Sequence, residues 1–385
     1  MFRTSPVTQV GPAERASWKS LLAPLGLIVA VFAAQEIAGL FPRLVERFYS
    51  RAVFPTVAGA LSFSSFVSFS LGETLLVLLL VAFAVRLAFL ALKIFSRRAR
   101  AGTVLISALS RLLWAAGACL VLYMLVFGLN YQRQPLSETL ELERRDPTAA
   151  EIVAISRDVL GNVNRNYEES GANAAAQGGS RLPLSTDELY SVLESAYHDE
   201  PLLREASGAR VQPKPVYFSG LMSRLGVSGI YSPFTGEPNY NTLQPDCDLP
   251  FAVAHEMAHQ RGYAREDEAN FIAFLVCTRS SNPYVRYSGY LGALRVLGVL
   301  FRVAPESYRD VVATLGEGPR ADLKVRAQFW ASYSGRLAQF GQGVNHVYLR
   351  VNGVRAGIRN YNEASALIVG YYLKQTAHSA ALPAD

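Results

Sequence analysis

The sequence predicts a mainly α-helical chain in two parts: a three-helix transmembrane region, then an α+β domain with a small β-sheet. Apolar residues make up 50% of the 385 positions, and the excess sits in roughly the first 130, as a membrane part followed by a globular part requires. From about Gln132 the composition turns polar, through Pro135, Ser137, Glu138, Glu141, Glu143, Arg144, Arg145 and Asp146. Beyond that junction apolar residues recur at helical spacing, except between Lys214 and Asn241. There, Val216-Tyr217-Phe218, Gly229-Ile230-Tyr231 and Tyr240 read as strands punctuated by glycines. The expected division is 1–134 for the membrane region and 135–385 for the domain.

Three apolar segments, at about 21–41, 74–95 and 112–129, approach the ~20 residues that a helix needs to cross a bilayer. The first carries Glu36, the second Arg86 and Lys93, the third no charge; Glu36 and Arg86 read as structural, paired or snorkelling. The first segment is too long for a signal-peptide core. Phe41-Pro42-Arg43 is not a small-residue cleavage site, so the segment reads as an uncleaved anchor. Residues 52–72 also lack charges, but hold Pro55, Gly59 and five serines. Only Glu73 separates them from the next segment, and one residue cannot join two spans, so this stretch reads as interfacial or re-entrant.

Basic residues then set the orientation. Arg97, Arg98 and Arg100 cluster between the second and third segments, with Arg3, Arg15 and Lys19 before the first. The positive-inside rule places both groups in the cytoplasm and everything after about Asn130 outside the cell. The net charge of +6 is mild and clusters beside apolar segments, which argues for a lipid bilayer as partner and against nucleic acid.

In the second part, 148–166 has helical spacing, and Leu182 to Glu188 leads into a capped helix reaching about Ala196. After the strand-like stretch comes Leu249-Pro250-Phe251-Ala252-Val253-Ala254-His255-Glu256-Met257-Ala258-His259, a helix ended by Gly262. A second helix is expected from about Glu266 to Cys277, and helical pattern continues to about Tyr372 with breaks near Pro305, Gly316 to Pro319 and Asn352-Gly353.

His255 and His259 are two of only five histidines. Four residues apart on a helix, they share one face and can direct two imidazoles at one Zn²⁺, with Glu256 beside them to take a water's proton. No apolar run of ~18 residues contains them, so the site belongs outside the bilayer core. A catalytic zinc needs a third protein ligand. His198 and His346 are poorly placed for it. The segment Glu266-Asp267-Glu268-Ala269-Asn270-Phe271, on a helix returning across the first, offers Glu268 one turn in, where polar residues meet an apolar face. Glu266 is the alternative, and Asp267 would face solvent or support a ligand. Two histidines and a carboxylate suit amide hydrolysis, with Glu256 as general base. His346, Tyr348 and Tyr263 are candidate donors to a developing oxyanion. There is no C-x-x-C; Cys247 and Cys277 flank the site, either as a disulfide permitted outside the cell or as two buried thiols.

Five further segments add to this: Asn130-Tyr131-Gln132-Arg133-Gln134-Pro135-Leu136, Tyr231-Ser232-Pro233-Phe234-Thr235-Gly236-Glu237, His255 to Gly262, Glu266 to Phe271, and Tyr287-Ser288-Gly289-Tyr290. Together they resemble an uncharacterised bacterial membrane-protein family that is defined by a domain of unknown function and described as zincin-like. Glu268-Ala269-Asn270 with Ala273 is also similar to the third-ligand segment of some short gluzincin peptidases. That likeness favours Glu268, while the short interval from His259 keeps Glu266 open. The resemblance implies a gluzincin-type domain, and the expected function is a membrane-anchored zinc metallopeptidase acting on peptides or proteins of the cell envelope. The other expectation is a non-catalytic metal-binding sensor or scaffold that keeps the fold.

Overall fold

The computed structural model describes residues 18–95, 101–172, 179–200, 203, 210–354 and 360–381. It is mainly α-helical, with three long apolar N-terminal helices and one small mixed sheet. The described residues fall into two compact units. One comprises 18–36 with Leu75–Leu125, the other Ile37–Thr74 with 126–381.

The long apolar helices are α1 (Leu22–Gly39), α2 (Leu71–Phe95) and α3 (Ala101–Val126). Each is long and apolar enough to cross a membrane, which is consistent with multi-pass placement. No residue of α2 is buried, and a helix apolar all round and bare on every side suits hydrocarbon as its solvent. The third apolar segment, about 112–129, is only part of its helix. The helix runs through Arg111 from Ala101, since arginine is a good helix former and one charge does not end a helix. The Arg97, Arg98 and Arg100 cluster, like Arg3 and Arg15, lies outside the described residues.

Residues 52–72 are not a span. They form a short helix, Phe54–Leu61, and a 3₁₀ turn, Ser62–Phe66, and group with the globular unit. The reason is visible in the contacts. Phe54 is 2% exposed and its ring lies against Gly262, while Leu61 lies against Gly236.

The globular unit continues with α4 (Ala149–Glu169) and α5 (Thr186–Asp199), both opened by capping boxes, Thr148 with Glu151 and Ser185 with Glu188. Next come β1 (Lys214–Pro215), α6 (Ser219–Leu225), β2 (Gly229–Ser232) and β3 (Glu237–Tyr240). The strand β3 is central, parallel to β1 and antiparallel to β2. The helices α7 (Leu249–Gln260) and α8 (Glu266–Thr278) follow, then α9 (Pro283–Ala293), α10 (Val296–Val303), α11 (Pro305–Ala313), α12 (Glu317–Ser332), α13 (Arg336–Val351) and α14 (Asn360–Ala381).

The helix α8 is the axis of the core. Every residue from Glu268 to Cys277 is buried, packed by α7, α9 and α14. An all-round apolar run such as Phe271-Ile272-Ala273-Phe274-Leu275-Val276 is stable only when enclosed. Each of its larger side chains contributes about 1.5–3 kcal/mol by leaving water. The site helix α7 is therefore backed by the most enclosed element of the fold.

Candidate metal centre

The helix α7 is held on three sides. Tyr197 of α5 donates its hydroxyl to the Ala254 carbonyl at 2.7 Å. Arg261, just past the helix end, pairs with Glu194 of α5 at 2.6 Å and lies over the Tyr197 ring. Gln260 donates to the Val211 and Gly236 carbonyls, each at 3.0 Å. Ala254, Met257 and Ala258 face the core fully buried, so the opposite face carries His255 and His259.

The chain then turns at Gly262, whose φ of +83° suits glycine. A Cβ there would also meet the Phe54 ring at 3.0 Å. Arg133 fastens this turn by donating to the Gly262 carbonyl at 3.0 Å, while its other nitrogens hold both Glu46 oxygens at 2.8 Å. Burial pushes the Glu46 carboxyl up, but the Arg133 and Arg51 guanidiniums outweigh it and hold it below its ordinary value.

After so tight a return, α8 begins at Glu266, and its first side chain meets the imidazoles. The Nε2 atoms of His255 and His259 are 3.1 Å apart. Glu266 Oε2 lies 3.0 Å from the first and 3.8 Å from the second, without hydrogen-bond geometry to either. Ligand atoms around a tetrahedral zinc, with bonds of ~2.0–2.1 Å, stand about 3.3 Å apart, and the three observed separations bracket that value. His259 Nδ1 is 2.7 Å from the Tyr263 carbonyl. It donates there, which leaves Nε2 as the acceptor, the usual second contact of a metal-bound histidine. With both Nε2 atoms unprotonated, the two imidazoles and the carboxylate offer three converging ligand atoms, a set that fits a divalent cation such as zinc. Among the described residues this is the one cluster of at least three His, Cys, Asp or Glu side chains with that convergence.

The three groups are electrostatically coupled. Burial lowers the His259 ring, but the Glu266 carboxylate beside it prevails and raises it to about 9. Burial raises Glu266, and the two imidazoles more than reverse that, to well below the carboxylate range. His255 is lowered, chiefly by burial.

Glu256 stands apart from the three ligating groups. Its carboxylate is buried against β2, so close to Gly229 that a Cβ there would meet Oε1 at 2.6 Å. The Tyr231 backbone N–H lies on the same side and favours its charged form. Burial raises the carboxyl to about 8, although nearby His259 opposes the shift.

Glu268, favoured from sequence as third ligand, is not brought to the imidazoles. Two residues on from Glu266, it projects from another face of α8. Its Oε1 accepts from the Leu136 backbone N–H at 2.8 Å and lies 3.5 Å from Arg265. Asp267 is half-buried and is not a member of the cluster. It borders a cavity of about 800 Å³ shared with Glu268, Arg144, Arg265 and Arg302.

Of the three candidate oxyanion donors, Tyr263 is buried under Arg133, with its ring 4.2 Å from the guanidinium. His346 is half-buried on α13, outside the cluster. Tyr348, on the same helix, meets the Tyr131 hydroxyl at 3.3 Å. Tyr131 is edge-on to Phe127, and Phe127 to His259, so two aromatic rings link Tyr348 to the site. Cys247 and Cys277 are separate buried thiols, not a disulfide; Cys277 contacts the Pro250 carbonyl at 3.7 Å.

Sequence reasoning missed Glu46 and named Arg133 only as part of a segment that carries the family resemblance. Their separation of 87 residues leaves no local signal, although Glu46 is the lone acid of a basic stretch. It also missed the buried Tyr231, whose hydroxyl has no partner and whose ring packs on Phe127.

Fold and site together define a helical protein with membrane-spanning potential and a buried His-His-Glu cluster suited to one metal ion. Residues 49–369 match the family described as a protein of unknown function, DUF3810. The chain belongs to that family. Comparison with curated proteins and with solved structures found no match.

Proposed function

We propose that the chain is a membrane-anchored metal protein that holds a divalent cation, zinc by donor chemistry, through His255, His259 and Glu266. The observation that carries this is the convergence of two imidazole nitrogens, 3.1 Å apart, and one carboxylate oxygen. Such a centre by itself serves a sensor or scaffold.

A further step, to hydrolysis of peptide bonds, is favoured by Glu256. It is a buried carboxylate next to the cluster that is not one of its ligands, lying beneath the strand β2. Bound zinc would supply Lewis acidity, polarising a carbonyl and acidifying a water. Glu256 is positioned to accept that water's proton and to hand it to a leaving amine. The rings of Phe127 and Tyr231 pack with centroids 5.0 Å apart, and Phe127 lies edge-on to His259, so the histidine side of the site is walled by aromatic rings. On this reading the N-terminus is cytoplasmic, the C-terminal domain extracytoplasmic, and the substrates are envelope peptides or proteins.

Metal analysis of the purified full chain tests both steps. About one zinc per chain is expected, lost in His259→Ala and in Glu266→Gln. Less than about 0.5 zinc per chain, unaffected by His259→Ala, removes the basis for a metal protein. Glu256→Gln should keep the zinc while lowering cleavage of a quenched fluorescent peptide by ~10²–10⁴-fold. Retained zinc with no difference in cleavage between Glu256→Gln and the parent chain leaves the sensor or scaffold.

A further inference from the structure

We infer that α13 is an amphipathic helix lying in the membrane–water boundary, its apolar stripe in contact with lipid. Leu337, Phe340, Val344 and Val347 recur at spacings of three and four and so form one stripe. They are 49%, 64%, 53% and 59% exposed. Only Leu349 of this helix is buried. Arg336 and Arg350 are exposed near its two ends, where long cationic side chains reach lipid headgroups.

The occupant is identified by what holds this helix. Near its C-terminal end, Tyr348 meets Tyr131, and the Asn352 carbonyl accepts from Gln132 Nε2 at 3.1 Å. Both partners lie within six residues of Val126, where α3 ends. Nearer its N-terminal end, α13 packs on α6, with Gly341 so close to the Leu225 carbonyl that no Cβ would fit. The residues leading into α6 are fixed in turn by Glu73, in the first turn of α2. Its carboxylate accepts from the Tyr217 and Phe218 backbone N–H groups at 2.9 and 2.8 Å. These two aromatics are 87% and 49% exposed, as suits side chains at headgroup level. Thus α13 is tied at both ends to places where a span meets water, and an apolar stripe there is continuous with the membrane boundary.

This rests on the membrane placement proposed above, and the experiment separates the two. In a Cys119→Ser background, the full chain is spin-labelled at Val347→Cys, Gln339→Cys or Leu79→Cys and reconstituted in phosphatidylcholine vesicles; the other two thiols are buried. Zinc content serves as the folding control. Collision with oxygen, which concentrates in lipid, is compared with collision with a water-soluble nickel complex. A several-fold higher oxygen-to-nickel ratio at Val347 than at Gln339, approaching that of Leu79 within α2, is the expected result. A Val347 ratio equal to that of Gln339, with Leu79 still in lipid, overturns the inference and spares the membrane reading. Spin–spin broadening at Val347 that vanishes on dilution with unlabelled chain also overturns it, by showing a second copy on the stripe. A water-like ratio at Leu79 defeats the membrane placement itself and the inference with it.

Discussion

At the scale of single residues, the candidate site turns on which of two acids faces the imidazoles. Glu266 and Glu268 are two positions apart on one helix, and residues so spaced do not share a face. Glu266 Oε2 is 3.0 Å from His255 Nε2, whereas Glu268 Oε1 is 2.8 Å from the Leu136 backbone nitrogen. Glu266→Gln should therefore release the metal and Glu268→Gln should retain it. Removing the charge of Glu268 instead weakens a buried, charge-assisted hydrogen bond, at a cost of about 1.5–3 kcal/mol. Zinc content and thermal unfolding of the two variants, measured side by side, check the assignment; zinc lost from Glu268→Gln with zinc kept by Glu266→Gln would reverse it. The sequence made the two histidines legible, because a four-residue interval on a helix is a geometric statement in itself. It could not rank three consecutive acids. Their facing depends on the path of the chain from the left-handed Gly262 into α8, and a helix expected from about Glu266 does not fix which of its first three side chains turns back to the imidazoles.

Among the elements, the hold of α5 on α7 gives a pH dependence. Glu194 is pushed up by burial, but Arg261 and Arg210 outweigh this and lower its carboxyl below the ordinary 4.5. A group depressed in the folded state stabilises fully above its unfolded value, and loses that contribution as pH falls through the folded one. Glu194→Gln should thus destabilise the protein at pH 7 by about 1.5–3 kcal/mol, the range for hydrogen bonds to charged groups. The gap between variant and parent should close as pH drops below the ordinary carboxylate value. Unfolding midpoints followed from neutral to acid pH test this, and a gap constant across the range would show that the Arg261 pair contributes nothing by charge. The elements themselves were largely legible. Helical spacing from about Thr148 and the capped segment around Ser185 marked two helix starts, glycines marked the small sheet, and Gly262 marked the end of α7. Residues 52–72 were harder, since an apolar stretch without charges has the same composition whether it enters lipid or packs on protein. Here Phe54 packs against Gly262.

For the whole molecule, the outstanding matter is the side of the membrane on which the site lies. Three helices are long and apolar enough to cross a membrane, and three crossings would put the N-terminus and everything after Val126 on opposite sides, whichever way the chain is inserted. Direction then depends on the loops. The basic Arg97, Arg98 and Arg100 lie between the second and third spans. Arg43, Arg47 and Arg51 follow the first span, but Glu46 accepts from Arg51 at 2.9 Å and is held by Arg133. This first loop is thus engaged in folded structure, while the positive-inside rule weighs charge in short loops near span ends. The Arg97 loop should remain in the cytoplasm, with the metal centre outside. Alkaline phosphatase fused after Asp385 should then be active, and a cytoplasmic reporter fused there inactive. The opposite pair of results would put the metal centre in the cytoplasm and exclude envelope peptides as its substrates. Replacing Arg97, Arg98 and Arg100 by neutral residues should lower the phosphatase signal, because removing the strongest topological charge lets a fraction of chains insert inverted; an unchanged signal would shift the control of orientation to the residues before the first span.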